Sequence, residues 1–174
     1  MPMKDARLKP TFLDPSRQAV VQVTRSKMDN TGHTSSNKVF GFELLLDLYE
    51  CKPGACDDLA LNYQFLDEIV GFLGMEKQSP PSIFRSDETR FPDKAGLSGW
   101  VPLIESSIVI HTLTPKNFIS VDIYCCREFD LKKAEEFCAR FFSPKKIETQ
   151  FIERGKTYYS DEVAAAKVKE FAHR

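Results

Sequence analysis

The chain has 174 residues, which suits one domain with a core of its own. Apolar residues make up 42% and charged residues 28%, and the formal net charge is -1, a balance that argues against a nucleic-acid surface or an acidic tail. No apolar run reaches the length of a membrane span and no secretory signal opens the chain, so a cytoplasmic protein with no membrane partner is expected.

Residues 1–37 are polar and punctuated by Pro2, Pro10 and Pro15, and read as a loosely attached extension in which only Ala19 to Thr24 looks strand-like. The ordered domain is expected over 38–174. V-F-G-F-E-L-L-L-D-L-Y, from Val39, reads as a mostly buried strand. Asp57 or Asp58 caps a helix whose apolar face runs Leu59, Tyr63, Leu66, Val70 and Leu73, and Gly74 stands where the helix should end. A short strand over Ser82 to Arg85 and a loop R-F-P-D-K-A-G-L follow. Gly99 to Glu105 reads as a strand in which Pro102 marks an edge or a bulge. Residues from Ile108 to Leu113 alternate as a further strand, T-P-K-N turns, and F-I-S-V-D-I-Y-C-C returns antiparallel to it. Asp130 caps a second helix with Leu131, Ala134, Cys138 and Phe141 on one face, and Ser143-Pro144 stops it. Lys146 to Ile152 is another strand, and Ser160 caps a last helix. The order β-α-β-β-β-β-α-β-α predicts an α+β fold: a two-layer sandwich, a mainly antiparallel sheet with helices on one face. Fourteen phenylalanines predict a well-filled core or an aromatic pocket.

Metal chemistry finds little support. The five cysteines include no C-x-x-C pair, no histidine stands at finger spacing, and buried free thiols in a reducing compartment are the expectation. Phosphate loops and G-x-S-x-G are absent as well. One block stands out. Ser98, Glu105, Ser106, Ser107, His111, Asp122 and Cys126 all fall inside one strand-turn-strand region. Polar groups inside a sheet cost stability unless they are paired, so the block is either a hydrogen-bonded network or a site.

G-L-S-G-W-V-P-L-I-E-S-S-I-V-I-H-T, Gly96 to Thr112, resembles the core of the pyruvoyl-dependent S-adenosylmethionine decarboxylases, in their half-length bacterial and archaeal form. F-I-S-V-D-I-Y-C-C resembles the family's next strand, which ends in a catalytic cysteine, and G-F-E-L-L-L-D-L-Y-E-C resembles its first strand. The likeness spans about Val39 to Gly155, and it rests on the order and spacing of the pieces together.

The resemblance implies a self-cleaving chain, cut between Glu105 and Ser106, with Ser106 becoming a pyruvoyl group at the head of a chain 106–174. In that scheme the serine hydroxyl turns the preceding peptide into an ester. His111 removes the Ser106 α-proton, a task that suits imidazole, and Ser98 donates a hydrogen bond during the rearrangement. The ketone then takes the substrate amine as a Schiff base and accepts the electrons released with carbon dioxide. Cys126 is implied as the residue that returns a proton. Glu43 and Phe91 match positions close to the substrate, Phe91 as an aromatic that stacks on adenine. A homodimer of processed protomers is implied, with sites at or near the interface. Ser106 and His111 have opposite parity in an unbroken strand, so the scheme predicts a bulge or turn near residues 106–108.

The sequence departs from the bacterial pattern in two places. Ser107 stands where a histidine is usual, as in the eukaryotic branch. Leu113, Thr114, Pro115 and Lys116 replace the usual Trp-Pro-Glu, which puts a cation where an acid binds ribose hydroxyls. Three functions follow. The first is decarboxylation of S-adenosylmethionine to supply aminopropyl groups for polyamines such as spermidine. The second is pyruvoyl-dependent decarboxylation of another amino acid, arginine or ornithine. The third is an unprocessed, non-catalytic relative serving as a binding or regulatory subunit.

Overall fold

Alternation of apolar residues builds the sheet. In the computed structural model, which describes residues 22–23 and 39–156, strand β2 (Gly41–Tyr49) buries Leu44, Leu46 and Leu48 and turns Glu43, Leu45 and Asp47 to the other face. It pairs antiparallel with β6 (Phe118–Cys125) on one side and β7 (Lys146–Arg154) on the other. Beyond β6 come β5 (Ser106–Leu113), β4 (Leu97–Leu103) and β3 (Ser82–Arg85), each antiparallel to its neighbour. At the opposite edge the two residues of β1 (Gln22–Val23) lie parallel to β7, inside the stretch read as strand-like, and complete a seven-stranded sheet in the order β1-β7-β2-β6-β5-β4-β3. The rest of the N-terminal extension and the helix expected from Ser160 lie outside the described residues.

Two helices, α1 (Leu59–Phe72) and α2 (Leu131–Phe142), cover one face of this sheet and share its core. The fold is therefore the expected α+β two-layer sandwich. Asp58 caps α1 through the Leu61 N–H, and Asp130 caps α2 through the Lys133 N–H. Gly74, with φ +66°, ends α1 in a Schellman turn, its own N–H bonded to the Gly71 carbonyl and the Met75 N–H to the Val70 carbonyl. The buried face of α1 is rotated from the expected one. Asn62, Phe65, Leu66, Ile69 and Val70 point inward, while Leu59 and Tyr63 are exposed. Asn62 accounts for the shift, because its amide donates to the carbonyls of Ala55 and Asp58, both at 2.8 Å. A polar residue thus closes the loop before the helix from inside the core. The phenylalanines fill the seam between the helices. Phe65 meets Phe142 at 4.7 Å between ring centroids and Phe137 at 5.8 Å.

The β4–β5 hairpin differs from the expectation in its ends. Strand β4 runs from Leu97 to Leu103, not Gly99 to Glu105, because Ile104 and Glu105 are the two residues of a tight turn and Leu103 pairs directly with Ser106. From Ser106 to Leu113 the register with β6 is regular, without the bulge expected near 106–108. The break in the strand therefore falls just ahead of Ser106. Pro102 sits beyond the end of β3, where the Gln78 N–H reaches its carbonyl at 2.9 Å, so its missing donor leaves no ladder bond unmade.

At the far end of the hairpin, Gly96 (φ +154°) lies so close to β5 that a Cβ there would come within 2.1 Å of the Thr112 carbonyl oxygen. The buried Thr112 hydroxyl accepts from the Leu97 N–H at 2.8 Å and donates to the Cys56 carbonyl at 2.6 Å. It ties the hairpin to the loop before α1. Thr112→Val keeps the shape and strands the Leu97 donor, so it should cost about 1–3 kcal/mol. The urea midpoint should fall at unchanged slope. An unaltered midpoint would show that the hydroxyl is not a tie.

Candidate active site

Two clusters sit at opposite ends of β5. At the turn end, Glu105 is held from three directions. Its carbonyl accepts the Cys126 N–H at 3.0 Å. Its carboxylate meets the Arg127 guanidinium at 2.7 Å on one oxygen and the Glu76 N–H at 3.2 Å on the other. The neighbouring Ile104 N–H bonds to the Glu76 carbonyl at 3.0 Å. Ser106, next along the chain, has φ +153°, a conformation that residues with a side chain rarely adopt. It lies across from Cys125 on β6. Cys125 is buried, and burial pushes its thiol pKa up, whereas Cys126 is exposed just past the end of the strand.

At the other end, Ser98 and His111 are directly opposed in the β4–β5 register, and the serine Oγ lies 3.0 Å from His111 Nδ1. Ser120 of β6 is the cross-strand neighbour on the other side. All three project from the face of the sheet that no described helix covers, and His111 is exposed there. Alternation along a regular β5 gives Ser106 and His111 opposite faces, and five residues of strand separate them by roughly 16 Å.

Glu43 shares the open face. It pairs across from Tyr124 and meets Arg154 at 3.3 Å, while the Arg154 guanidinium stacks on the Tyr124 ring at 4.4 Å. Phe91 stands apart from the turn, in the loop before the 3-10 turn Pro92–Lys94, with Arg90 and Lys94 at 5.0 and 5.9 Å from its ring centre. That loop joins the turn carrying Lys116 through the bond from the Thr114 N–H to the Ala95 carbonyl, 2.8 Å. Phe91 therefore belongs to the His111 end of the hairpin. Sequence reading missed Arg127 and Glu76. Arg127 follows Cys126 directly, but Glu76 reaches Glu105 only through a pairing distant in sequence. Among the described residues, no group of three His, Cys, Asp or Glu lies close enough to hold a metal ion.

A mainly antiparallel α+β sandwich, with a strained serine after a two-residue turn and a serine–histidine pair on the open sheet face, defines the class. A sequence profile of the S-adenosylmethionine decarboxylase family matches residues 42–155. The chain belongs to this family. It is 30% identical to the S-adenosylmethionine decarboxylase proenzyme of Persephonella marina, over 68% of this chain and 84% of the relative. Against the proenzyme of the same name from Pyrobaculum arsenaticum the identity is 29%, over 71% and 94%. The crystal structure of the adenosylmethionine decarboxylase from Aquifex aeolicus superposes with a TM-score of 0.58 at 26% identity, covering 71% of this chain and 96% of that one.

Asp122 lies on the open face between the two clusters, across from Val109. Burial raises its carboxyl above the ordinary value, Glu43 pushes the same way, and His111 opposes them. The native state therefore holds the proton at pH values where the unfolded chain has released it. The group's contribution to stability is full below about pH 4 and is lost as pH rises through the raised value. Asp122→Asn removes that loss. Its melting temperature should gain on the wild type between pH 4 and pH 7, and a difference independent of pH would refute the assignment.

Proposed function

We propose that the chain is a self-processing, pyruvoyl-dependent decarboxylase of S-adenosylmethionine, cut between Glu105 and Ser106, that supplies the aminopropyl donor for polyamine synthesis. The observation that carries this reading is the backbone at the cut: Ser106 at φ +153°, directly after a carbonyl held by the Cys126 N–H at 3.0 Å. A non-glycine residue in that region stores strain on the order of 1–3 kcal/mol, which brings the ground state closer to a rearranged chain. When the Ser106 hydroxyl attacks the Glu105 carbonyl carbon, the oxygen gaining charge already faces the Cys126 N–H, as an oxyanion donor should. The C–N bond then breaks, nitrogen takes up a proton, and an ester remains. Loss of the Ser106 α-proton to a base breaks the Cβ–O bond and releases the Glu105 carboxylate. Water replaces the nitrogen as ammonia and leaves the ketone.

The residues at the cut fit such a group. A ketone joined to an amide carbonyl takes up a primary amine and accepts the electron pair left by departing carbon dioxide. We assign the return of a proton to Cys126, which is exposed beside the turn. Glu43 and Phe91 are assigned to the substrate. All five cysteines are free, which suits a reducing, cytoplasmic setting.

His111 is the assigned base, oriented by Ser98. Proton transfer needs contact within about 3 Å, and roughly 16 Å of regular strand intervenes within one copy. A single copy therefore cannot complete the step. A second copy that lays its open sheet face, on which Trp100 of β4 is 46% exposed, across the tip of the hairpin would bring its own Ser98–His111 pair to the cut. We assign the pair to the partner's Ser106 in a homodimer.

Lys116 is the ground for a second reading, in which the same chemistry acts on arginine or ornithine: a cation replaces the acid expected to bind ribose, which argues against a nucleoside. Substrates labelled in the carboxyl group separate the two by which one releases carbon dioxide. The cleavage scheme is tested by intact mass. Ser106→Ala and His111→Ala should each remain single 19.9 kDa chains without turnover. Expressed together, they should restore cleavage of the His111→Ala chain alone, since its Ser106 meets the histidine of the other copy. Cleavage of His111→Ala by itself would refute the role of the histidine, and an intact wild-type chain would refute the scheme.

A further inference from the structure

We infer that Arg127 is a positioning residue for chain cleavage, holding Glu105 so that the turn keeps its strained geometry; the inference rests on the cleavage reading above. The guanidinium has two acceptors. It pairs with Glu105 Oε1 at 2.7 Å and donates to the Gly74 carbonyl at 2.6 Å. That carbonyl belongs to the Schellman turn at the C-terminal end of α1, the partly negative end of the helix. Its position is set by α1 and not by the hairpin. Arg127 therefore fastens the tip of the β4–β5 hairpin to a rigid element on the covered side of the sheet.

The other bonds from outside the hairpin to the turn all have a main-chain N–H as donor: Ile104 N–H to the Glu76 carbonyl, Cys126 N–H to the Glu105 carbonyl, and Glu76 N–H to the Glu105 carboxylate. Arg127 is the side-chain donor among them. Strained backbone persists only where its surroundings over-determine it, and a two-residue turn without side anchors would relax.

Charge gives the same answer. The Glu105 carboxylate is only 14% exposed. Attack by Ser106 builds negative charge on the carbonyl oxygen of this residue, and elimination leaves the Glu105 α-carboxylate with the electron pair of the broken C–O bond. A side-chain carboxylate left without its cation would oppose both steps by like-charge repulsion. Arg127 is 54% exposed, so the pair adds little to global stability and its effect falls on the rate.

The test uses the full chain made by cell-free translation, following conversion of the 19.9 kDa band to two fragments. Arg127→Met should slow cleavage by about tenfold, the scale of one charge-assisted hydrogen bond. Arg127→Lys, which restores the cation, should recover most of the rate. Glu105→Gln should slow it too, and the double variant should be no slower than Arg127→Met alone, the non-additivity expected of one shared interaction. In a Ser106→Ala background, Arg127→Met should shift the melting temperature by no more than about 2 °C. Arg127→Met cleaving within twofold of the wild type overturns the inference and leaves the cleavage reading standing. Additive losses, or a large drop in melting temperature, overturn it by making the effect merely structural. A wild-type chain that stays whole overturns the cleavage reading, and the inference falls with it.

Discussion

A two-residue turn has no slack, and the Ile104–Glu105 turn fixes the register of the whole β4–β5 hairpin. Leu103 opposes Ser106, and five pairs along, Ser98 opposes His111. A slip of one residue would turn His111 to the helix side and part it from Ser98. Contacts from outside the hairpin hold both of its ends in place. At the tip, bonds from residues 76, 126 and 127 converge on the turn, and at the base Gly96 lets the chain approach Thr112 closely. The strain at Ser106 is sustained because both ends are pinned.

The second consequence of register is distance. A regular β5 keeps the tip cluster and the Ser98–His111 pair apart, and alternation gives them different faces. One copy of the chain therefore holds the two clusters apart. Among the described residues the helices cover only one face of the sheet, and the surface bearing His111, Asp122 and Trp100 is the other one. Burial already raises the Asp122 carboxyl there, and a second layer over this face would take that group further from water.

Much of this was legible in the sequence because alternation, caps and turn residues are local signals. Ser82–Arg85, both N-caps, Gly74 and the stop at Ser143 fall where residue chemistry puts them. Boundaries set by pairing were not legible. Ile104 and Glu105 read in isolation as the end of the strand from Gly99, and only the pairing of Leu103 with Ser106 makes them a turn. The buried face of α1 was misjudged because Asn62 reads as a surface residue until the carbonyls of Ala55 and Asp58 are seen beside it. In the site, serine, histidine and cysteine announce themselves by type. An arginine or a backbone N–H that anchors a turn carries no such mark, because its role comes from a neighbour distant in sequence.

Chain order in the sheet explains why a break at this turn is compatible with a stable fold. A cut after Glu105 would leave β2, α1, β3 and β4 on one chain and β5, β6, α2 and β7 on the other. In space these alternate: β7 lies against β2, β2 against β6, and β5 against β4. Three of the antiparallel ladders therefore run between the two pieces, and the core joins Phe65 of α1 to Phe137 and Phe142 of α2 across the same divide. The covalent link at the turn contributes no ladder bond of its own. Severing it removes a geometric restraint on the tip and leaves the burial that holds the sandwich together unchanged, so the fold can lose a peptide bond there at little cost.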